Sequence, residues 1–191
     1  MLSLFPESDD LPYGSLGLDA VETVNSTSNK ANNRTQRIHL ASNPSTIDIN
    51  GVTIGLTSTD SLLHLSTEEI NSNLPIGSRL TKLTEHFLRQ RSYYPLFPPP
   101  ANPNMDVNLD LTKREFFQMP CKPDILILPS KLACFAKDII GGTVVVNPGH
   151  LVRGAAGGTY ATIDIHPTKT QDDNNVDRCL TNFMKIDIRR I

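Results

Sequence analysis

Three short apolar segments in the last third of the chain, each bounded by turn residues, constrain its fold most strongly. They are Ile125–Leu128, Thr143–Val146 and Thr159–Ile165. Glycine pairs at 141–142 and 157–158 favour sharp turns between them, and Asn147-Pro148-Gly149 follows the middle segment directly. Brief runs rich in β-branched and aliphatic residues between such turns are typical of buried strands. The sequence therefore predicts a β-sheet in this part of the chain.

Further strands are predicted near the start and the end of the domain. Ser45–Ile49 and Val52–Leu56 flank Asn50-Gly51. An Asn-Gly pair between two strand-like runs is the strongest short-range hairpin signal, because both residues tolerate a left-handed backbone. A last strand is expected at roughly Phe183–Ile188.

Helices are predicted at three places. The run Ser66-Thr67-Glu68-Glu69 fits a capping box, which favours a short helix with Ser66 as its N-cap. A longer helix is expected from Ser78 to about Arg91, with an apolar stripe opposite a basic face. Another short helix is expected around Leu132–Ile139. The apolar stripe of the longer helix consists of Leu80, Leu83, Phe87 and Leu88.

The segment SYYPLFPPPANPN, residues 92–104, is predicted to be an extended connection. Three consecutive prolines exclude a helix and interrupt a sheet ladder. We expect Tyr93, Tyr94 and Phe97 to pin this connection to the body of the domain. A role of the prolines as a ligand for an aromatic groove is the weaker alternative.

The order of the elements predicts an α/β fold. Strands, a crossover helix and further strands favour one α/β sandwich without an internal repeat. We place this domain at residues 43–191. Residues 1–42 are rich in Ser, Asn, Thr and Asp without a sustained period, and we expect them to form a polar, disordered lead-in.

The composition excludes several classes of protein. The 191 residues are 38% hydrophobic and 20% charged with a net charge of −2, which suits one globular domain. A protein that holds nucleic acid through its own field needs a clustered excess of Lys and Arg, which this chain lacks. The 3 cysteines form no C-x-x-C pair, so neither a zinc knuckle nor a disulfide framework is indicated. Neither a signal peptide nor a membrane helix is expected.

The histidines offer no metal-binding pattern by spacing. Two-metal phosphoester hydrolysis needs several His, Asp and Asn ligands around cations roughly 3.5–4 Å apart. His150 is the most tempting ligand, because it follows Asn147-Pro148-Gly149, but a surface or partner-facing role is favoured. We expect His64, which lies among leucines, to be packed or hydrogen-bonded. The histidines expected to be solvated are His39, His86 and His166.

Other catalytic motifs are equally unsupported. The glycine-rich run at 154–158 lacks the Lys-Ser/Thr of a phosphate loop, and no G-x-G-x-x-G opens a helix. No G-x-S-x-G nucleophile elbow occurs. Cys121 could pair with a distant histidine, but a small apolar residue before a strand is the favoured interpretation. We therefore predict no catalytic, cofactor-binding or metal-binding residue.

Several blocks of the sequence resemble, in order, those of the B subunits of eukaryotic DNA polymerase alpha. The first block reads INGVTIGLTSTDSLLHLSTEEI, and the long third block contains the Asn-Pro-Gly turn. The resemblance covers about residues 43–191, and such an ordered series is more specific than any single motif. The blocks are residues 49–70, 79–99, 123–165 and the terminal Ile-Arg-Arg-Ile.

This resemblance implies the C-terminal half of an inactivated calcineurin-like metallophosphoesterase sandwich, with mixed β-sheets flanked by helices. In active relatives a His-Gly closes the strand that corresponds to Val52–Leu56, and a Gly-His-x-His follows the one that corresponds to Ile125–Leu128. This chain has Thr57-Ser58 at the first place and Pro129-Ser130-Lys131-Leu132 at the second. The loss of both elements should abolish a two-metal site, and Lys131 would put a cation where a metal belongs.

The resemblance also implies a non-catalytic accessory subunit of the DNA polymerase alpha–primase complex in the nucleus. Its partners would be the C-terminal domain of the catalytic subunit and, through the complex, the primase subunits, with only indirect or weak contact to DNA. We expect the family's OB domain to be absent from this chain and no cofactor to be needed. The contact residues stay unidentified, with Arg91, Tyr93 and Tyr94 as candidate anchors.

Two other functions remain open at this point. One is a metal-dependent phosphoesterase with unrecognised ligands, against which the lack of clustered His and Asp residues argues. The other is an autonomous binder of single-stranded nucleic acid, against which the balanced charge argues.

Overall fold

A five-stranded mixed sheet forms the centre of the described part of the chain. The computed structural model describes residues 40–70, 75, 77–101, 107, 109–139, 141–166 and 183–191. Its helices are α1 (Ser61–Thr67), α2 (Arg79–Gln90) and a 3-10 helix (Leu111–Phe117). Its strands are β1 (Ser45–Ile49), β2 (Val52–Leu56), β3 (Ile125–Ile127), β4 (Phe135–Ile139), β5 (Thr143–Asn147), β6 (Val152–Arg153), β7 (Ala156–Gly157), β8 (Thr159–Ile165) and β9 (Met184–Arg190).

The central sheet has the strand order β1-β2-β3-β5-β4. β2, β3 and β5 run parallel to one another, and β1 and β4 flank them in the antiparallel direction. The three parallel strands therefore end at the same edge of the sheet, where the loops that follow them meet. The predicted α/β class with mixed strands is confirmed.

The predicted hairpin at the start of the domain is confirmed residue for residue. Asn50 and Gly51 both have positive φ angles, of 54° and 79°, which is the backbone that a tight turn between twisted strands requires. The Asp48 carboxylate accepts a hydrogen bond from the Gly51 N–H at 3.0 Å and closes the turn. The other predicted strands, around β3, β5, β8 and β9, are confirmed to within two residues at either end.

Of the three predicted helices, only the longest is confirmed. α2 follows Ser78 and ends at Gln90, and the left-handed backbone of the next residue, Arg91 (φ 48°), terminates it. The capping box at Ser66 is wrong, because α1 begins five residues earlier and ends at Thr67. Asp60 is the true N-cap, since its carboxylate accepts the Leu63 N–H.

The short helix predicted around Leu132–Ile139 is also wrong, because Phe135–Ile139 is strand β4. Phe135 and Ile139 are buried while Ala136 and Asp138 are exposed, an alternation with a period of two. The Gly141-Gly142 turn then folds β4 back onto β5, with Ile139 opposite Thr143. Pairing with β5 outweighs the weak helical preference of a five-residue segment.

The proline-rich connection is held by its two tyrosines but not by its phenylalanine. Tyr93 and Tyr94 are buried, whereas Phe97 is 68% exposed, so the expected anchoring role of Phe97 is wrong. The Tyr93 hydroxyl donates to the Ser45 carbonyl at 3.0 Å and shares a hydrogen bond with Thr46 Oγ1 at 2.6 Å. This ring passes so close to Gly55 that a Cβ there would lie 2.7 Å from the hydroxyl.

The two faces of the sheet are covered by different layers. Leu126 of β3 and Val145 of β5 point to the helices and join Leu62, Leu83 and Phe87 in one core cluster. Their neighbours along β3 and β5 point the other way, toward the two-stranded ribbon of β8 and β9. The cluster on that side contains Ile125, Ile127, Val144, Val146, Ala161, Ile163, Met184 and Ile186.

The β8–β9 ribbon shows the alternation expected of a strand pair with one covered face. Ala161 and Ile163 lie opposite Ile188 and Ile186, while Asp164 lies opposite Lys185 on the other face. A small hairpin that the sequence did not predict, β6–β7, precedes this ribbon and turns at Gly154 (φ 62°). None of the described helices is long and apolar enough to cross a membrane.

Replacement of Phe87 with alanine should destabilise the domain by about 3–5 kcal/mol, because its ring is completely buried and leaves a cavity in the helix-side core. Phe97→Ala is the matched control and should cost less than about 0.5 kcal/mol, because that ring is mostly exposed. Urea denaturation followed by circular dichroism measures both. Equal losses would contradict the described packing.

Candidate functional site at the carboxyl edge of the parallel strands

The loops after β2, β3 and β5 meet at one edge of the central sheet. In α/β sheets, ligands bind outside the carboxyl ends of parallel strands. The family resemblance also places both lost metal-binding elements at this edge, in the loops after β2 and β3. A catalytic centre in this fold would therefore be expected at this edge.

Asn147, the last residue of β5, links two of the three loops and is fully buried. Its Oδ1 accepts the N–H groups of Ser130 and Gly149, both at 3.0 Å. Its Nδ2 donates to the carbonyls of Leu132 and Ala133 at 3.3 and 3.1 Å. One amide thus ties the loop after β3 to the turn after β5, and both of its polar atoms are used.

Asp60 links the remaining loop to the same edge. One carboxylate oxygen accepts the Leu63 N–H at 3.0 Å and caps α1. The other accepts the Lys131 N–H at 2.8 Å, from the loop after β3. Asp60 therefore joins the loop after β2 to the loop after β3, as Asn147 joins the latter to the turn after β5.

Smaller polar groups at this edge are also used within the loops. The Thr57 hydroxyl accepts the Thr59 N–H at 3.2 Å, and the Ser130 hydroxyl accepts the Leu132 N–H at 3.2 Å. Ser58 donates its N–H to Asn43 Oδ1 at 2.9 Å. Side-chain oxygens that could contact a cation or a substrate are instead bonded to backbone amides.

The described residues at this edge do not assemble a cluster of metal ligands. Among the residues that the structure describes, no three His, Cys, Asp or Glu side chains come close enough to hold a metal ion. Lys131 contributes its backbone N–H to the Asp60 contact. At Thr57-Ser58 and Pro129–Leu132 the loops are closed by hydrogen bonds between amides, hydroxyls and one carboxylate.

The histidines are dispersed, and the expectation for each described one holds. His64 is buried in α1, and its Nδ1 lies 3.2 Å from the Tyr94 hydroxyl. His86, His150 and His166 are exposed, on α2, after the Asn-Pro-Gly turn and after β8 respectively. His39 lies outside the described residues.

His64 has an unusual electrostatic environment for a histidine. Burial lowers its pKa, and the nearby Lys131 lowers it further, while the Asp60 carboxylate raises it less than burial lowers it. The Tyr94 ring meets the imidazole edge-on, with centroids 5.9 Å apart. Burial likewise raises the pKa of the Tyr94 phenol, so the hydrogen-bonded pair is neutral near pH 7.

The candidate partner anchors do not form one surface. The side chains of Tyr93 and Tyr94 are 2% and 7% exposed, and their hydroxyls form hydrogen bonds inside the domain. Of the three residues, only Arg91 is exposed to solvent. Arg91 donates from Nη2 to the Pro120 carbonyl at 2.8 Å. Cys121, expected to be a small apolar residue before a strand, is exposed.

Sequence reasoning missed how Asp60 and Asn147 act. The available signals were a strand ending in Asn-Pro-Gly and an Asp directly before Ser-Leu-Leu, a good N-cap position. The sequence also contains an Asp-x-His spacing, at Asp164-Ile165-His166. Both of its ionisable side chains are exposed at the end of β8, in the ribbon and away from the central sheet's parallel strands.

Comparison with known proteins identifies the family. The family model for the B subunits of DNA polymerases alpha and epsilon matches residues 15–137, well over half of the chain. The chain belongs to the DNA polymerase alpha/epsilon B-subunit family. The match begins within the segment 1–42 and ends within β4.

Individual relatives are named as the B subunit of DNA polymerase alpha. The mouse protein is 44% identical over 128 residues, which cover 67% of this chain and 21% of that protein. The Schizosaccharomyces pombe protein is 37% identical over 138 residues, or 70% of this chain and 23% of that protein. The Drosophila melanogaster protein is 34% identical over 131 residues, which cover 69% of this chain and 20% of that protein. The chain thus spans about a fifth of the length of these relatives.

Asn147→Ala should destabilise the domain by roughly 2–4 kcal/mol, because it leaves two buried N–H groups and two carbonyls without their partner. Asn43→Ala, which removes an exposed side chain with a similar loop contact, is the matched control and should cost less than about 1 kcal/mol. Thermal and urea unfolding of both variants measure the difference. A tolerated Asn147→Ala would mean that the loops hold together without it.

The lowered pKa of His64 predicts that stability falls as the pH drops below about 6.5, the value in the unfolded chain. In that window the unfolded state binds the proton more readily than the folded state, so acid favours unfolding. Urea midpoints measured between pH 5 and pH 7.5 should show this slope in the wild type and a shallower one in His64→Gln. His86→Gln is the control and should keep the wild-type slope; an unchanged slope in His64→Gln would contradict the assignment.

Proposed function

We propose that the chain is a non-catalytic accessory component of the DNA polymerase alpha–primase complex, acting in the initiation of DNA replication. In this proposal it holds the C-terminal domain of the polymerase catalytic subunit. Primase would be reached through the assembled complex, and DNA would be contacted only indirectly or weakly. This function places the chain in the nucleus.

The observation that carries the non-catalytic part of the proposal is the hydrogen bonding at the carboxyl edge of the parallel strands. There, Asp60 and Asn147 direct their side-chain polar atoms to backbone groups of neighbouring loops. Both oxygens of the Asp60 carboxylate already accept backbone N–H groups, so binding a cation there would cost these hydrogen bonds. These hydrogen bonds hold the loops at this edge in one conformation.

The architecture is compatible with the C-terminal half of an inactivated calcineurin-like phosphoesterase domain, at residues 43–191. Its mixed sheet lies between helices on one face and a strand ribbon on the other, as in a sandwich. The names of the relatives support membership in the polymerase alpha assembly.

Co-expression with the C-terminal domain of the polymerase alpha catalytic subunit tests the scaffold role. With an affinity tag on that domain, the full chain should co-purify and remain together with it in size-exclusion chromatography. The corresponding domain of the polymerase epsilon catalytic subunit is the matched control and should not retain the chain. Failure of a soluble, folded chain to co-elute with the alpha domain would overturn the proposal.

The same purified complex tests the alternative of a metal-dependent phosphoesterase. With manganese or zinc added, it should not hydrolyse bis(p-nitrophenyl) phosphate above the rate of the metal in buffer, because the described residues offer no ligand set for a bound ion. The complex with His150→Ala is assayed in parallel with the wild-type complex, because His150 is the histidine closest in sequence to the Asn-Pro-Gly turn. Metal-dependent turnover that co-purifies with the chain would refute the non-catalytic role.

A further inference from the structure

The run Ser66-Thr67-Glu68-Glu69 does not cap a helix, so its pattern has no role in the fold described so far. Ser66 and Thr67 are the last two residues of α1, and Glu68 follows the helix. Two carboxylates thus come two and three residues after a serine hydroxyl. Acid-directed protein kinases select serines and threonines by carboxylates in these positions, because basic side chains in the kinase cleft pair with them. The run therefore indicates a modification site.

Three other described hydroxyl residues have an acidic residue at the same spacing, and each lacks one requirement. Ser45 and Thr57 are only 8% and 4% exposed, so their hydroxyls are closed to a kinase in the folded domain. Thr112 is exposed, but two basic residues stand between it and its acidic residue and would repel a basic cleft. Ser66 is half-buried and has no basic residue at these positions. It is the best match within the described residues.

The residues that a kinase would recognise lie outside the helix. Glu68 and Ile70 are exposed, and the chain forms neither helix nor strand from the end of α1 to residue 70. Only the last turn of α1 has to open to present the Ser66 hydroxyl. The Thr67 hydroxyl bonds the His64 carbonyl in this turn at 2.8 Å. Terminal turns are nevertheless the least stable part of a helix, because their last carbonyls have no partner within the helix.

An arginine of α2 already contacts the Ser66 hydroxyl. Arg79 donates from Nη2 to Ser66 Oγ at 2.6 Å and to the Ser66 carbonyl at 3.3 Å. Its Nε donates to the Glu69 carboxylate at 2.6 Å. A phosphoryl group on Ser66 Oγ would therefore lie beside the guanidinium, whose planar fork of donors matches phosphate oxygens.

The phosphate would compete with Glu69 for this guanidinium. In the unmodified chain the charges of Arg79 and Glu69 balance each other. A phosphate carries a charge of about −1.5 to −2 at pH 7 and three acceptor oxygens, which exceeds what one carboxylate offers. It would also lie at the C-terminal end of α1, whose dipole disfavours an anion, whereas Arg79 begins α2, whose dipole favours one. Both effects move the phosphate toward Arg79 and release Glu69.

We propose that Ser66 is a phosphorylation site for an acid-directed protein kinase and that Arg79 holds the phosphate. Ser66 Oγ attacks the γ-phosphorus of ATP, the bond from that phosphorus to the β-phosphate oxygen breaks, and ADP leaves. The hydroxyl proton passes to the catalytic carboxylate of the kinase. The modified chain would exchange the Arg79–Glu69 ion pair for an Arg79–phosphate pair between α1 and α2. This inference does not rest on the proposed accessory function.

Phosphorylation in vitro tests the site. The full chain is incubated with ATP and casein kinase II, an acid-directed kinase, and the phosphorylated residues are mapped by mass spectrometry. Ser66 should be modified at a rate within about tenfold of that in a synthetic peptide of residues 61–70, because only the last turn of α1 has to open. Circular dichroism before the reaction confirms that the chain is folded.

Variants test whether the kinase reads the acidic residues. Glu68→Gln/Glu69→Gln should slow the phosphorylation of Ser66 by about tenfold or more in the chain and in the peptide, because the recognised carboxylates are removed. Glu115→Gln is the matched control, since it removes the acidic residue that follows Thr112 at the same spacing. It should leave the rate at Ser66 within about twofold of wild type.

Phosphorus NMR of the phosphorylated chain tests the role of Arg79. The second pKa of the phosphate should be about one unit lower in the wild type than in Arg79→Gln, because a neighbouring cation favours the dianion. Arg89→Gln, which changes an arginine in the last turn of α2, is the matched control and should keep the wild-type value. Glu68 and Glu69 are present in all three chains, so their opposing effect cancels in the comparison.

The outcomes decide the two parts of the proposal. An unmodified Ser66 in the folded chain overturns the site, even if the peptide is phosphorylated. Modification confined to Thr170, which has the same acidic spacing outside the described residues, overturns it as well. Equal phosphate pKa values in the wild type and Arg79→Gln overturn the role of Arg79. Co-purification with the catalytic subunit's C-terminal domain is measured separately, so none of these results decides the accessory function.

Discussion

The structure depends most on the side-chain amide of Asn147 at the end of β5. It is fully buried, and it satisfies two amide donors and two carbonyl acceptors from the loops that follow β3 and β5. A buried polar group of this kind stabilises a single arrangement when fully bonded and costs free energy when it is not. The parallel strands can therefore end in short, irregular loops that are nevertheless fixed in position.

The layers on the two sides of the sheet explain why β3 and β5 are apolar on both faces. Leu126 and Val145 face the helices, and Ile125 and Val144 face the ribbon, so neither strand has a solvent side. The ribbon itself needs only one apolar face, and its outer face carries paired charges such as Lys185 and Asp187. Sequence pattern and layer position agree throughout this part of the chain.

Features set by local chemistry could be predicted from the sequence, and those set by tertiary contacts could not. The Asn50-Gly51 turn and the stripe of α2 depend on neighbouring residues, so both were predictable. β4 was mistaken for a helix because its strand character comes from pairing with β5. The bonds of Asp60 and Asn147 were missed because they join segments distant in sequence, as far as 71 residues apart.

The contact between Gly55 and the Tyr93 hydroxyl bears on the outer edge of the central sheet. β1 is an outer strand of the sheet, and outer strands tend to pair with other chains. The Tyr93 hydroxyl donates a hydrogen bond to the Ser45 carbonyl of that strand. It can do so only because Gly55 has no side chain and leaves room for the ring. A side chain at position 55 would displace the phenol and free this carbonyl for an intermolecular partner. The room at Gly55 thus keeps one carbonyl of an outer strand bonded within the domain, although Gly55 lies on the neighbouring strand.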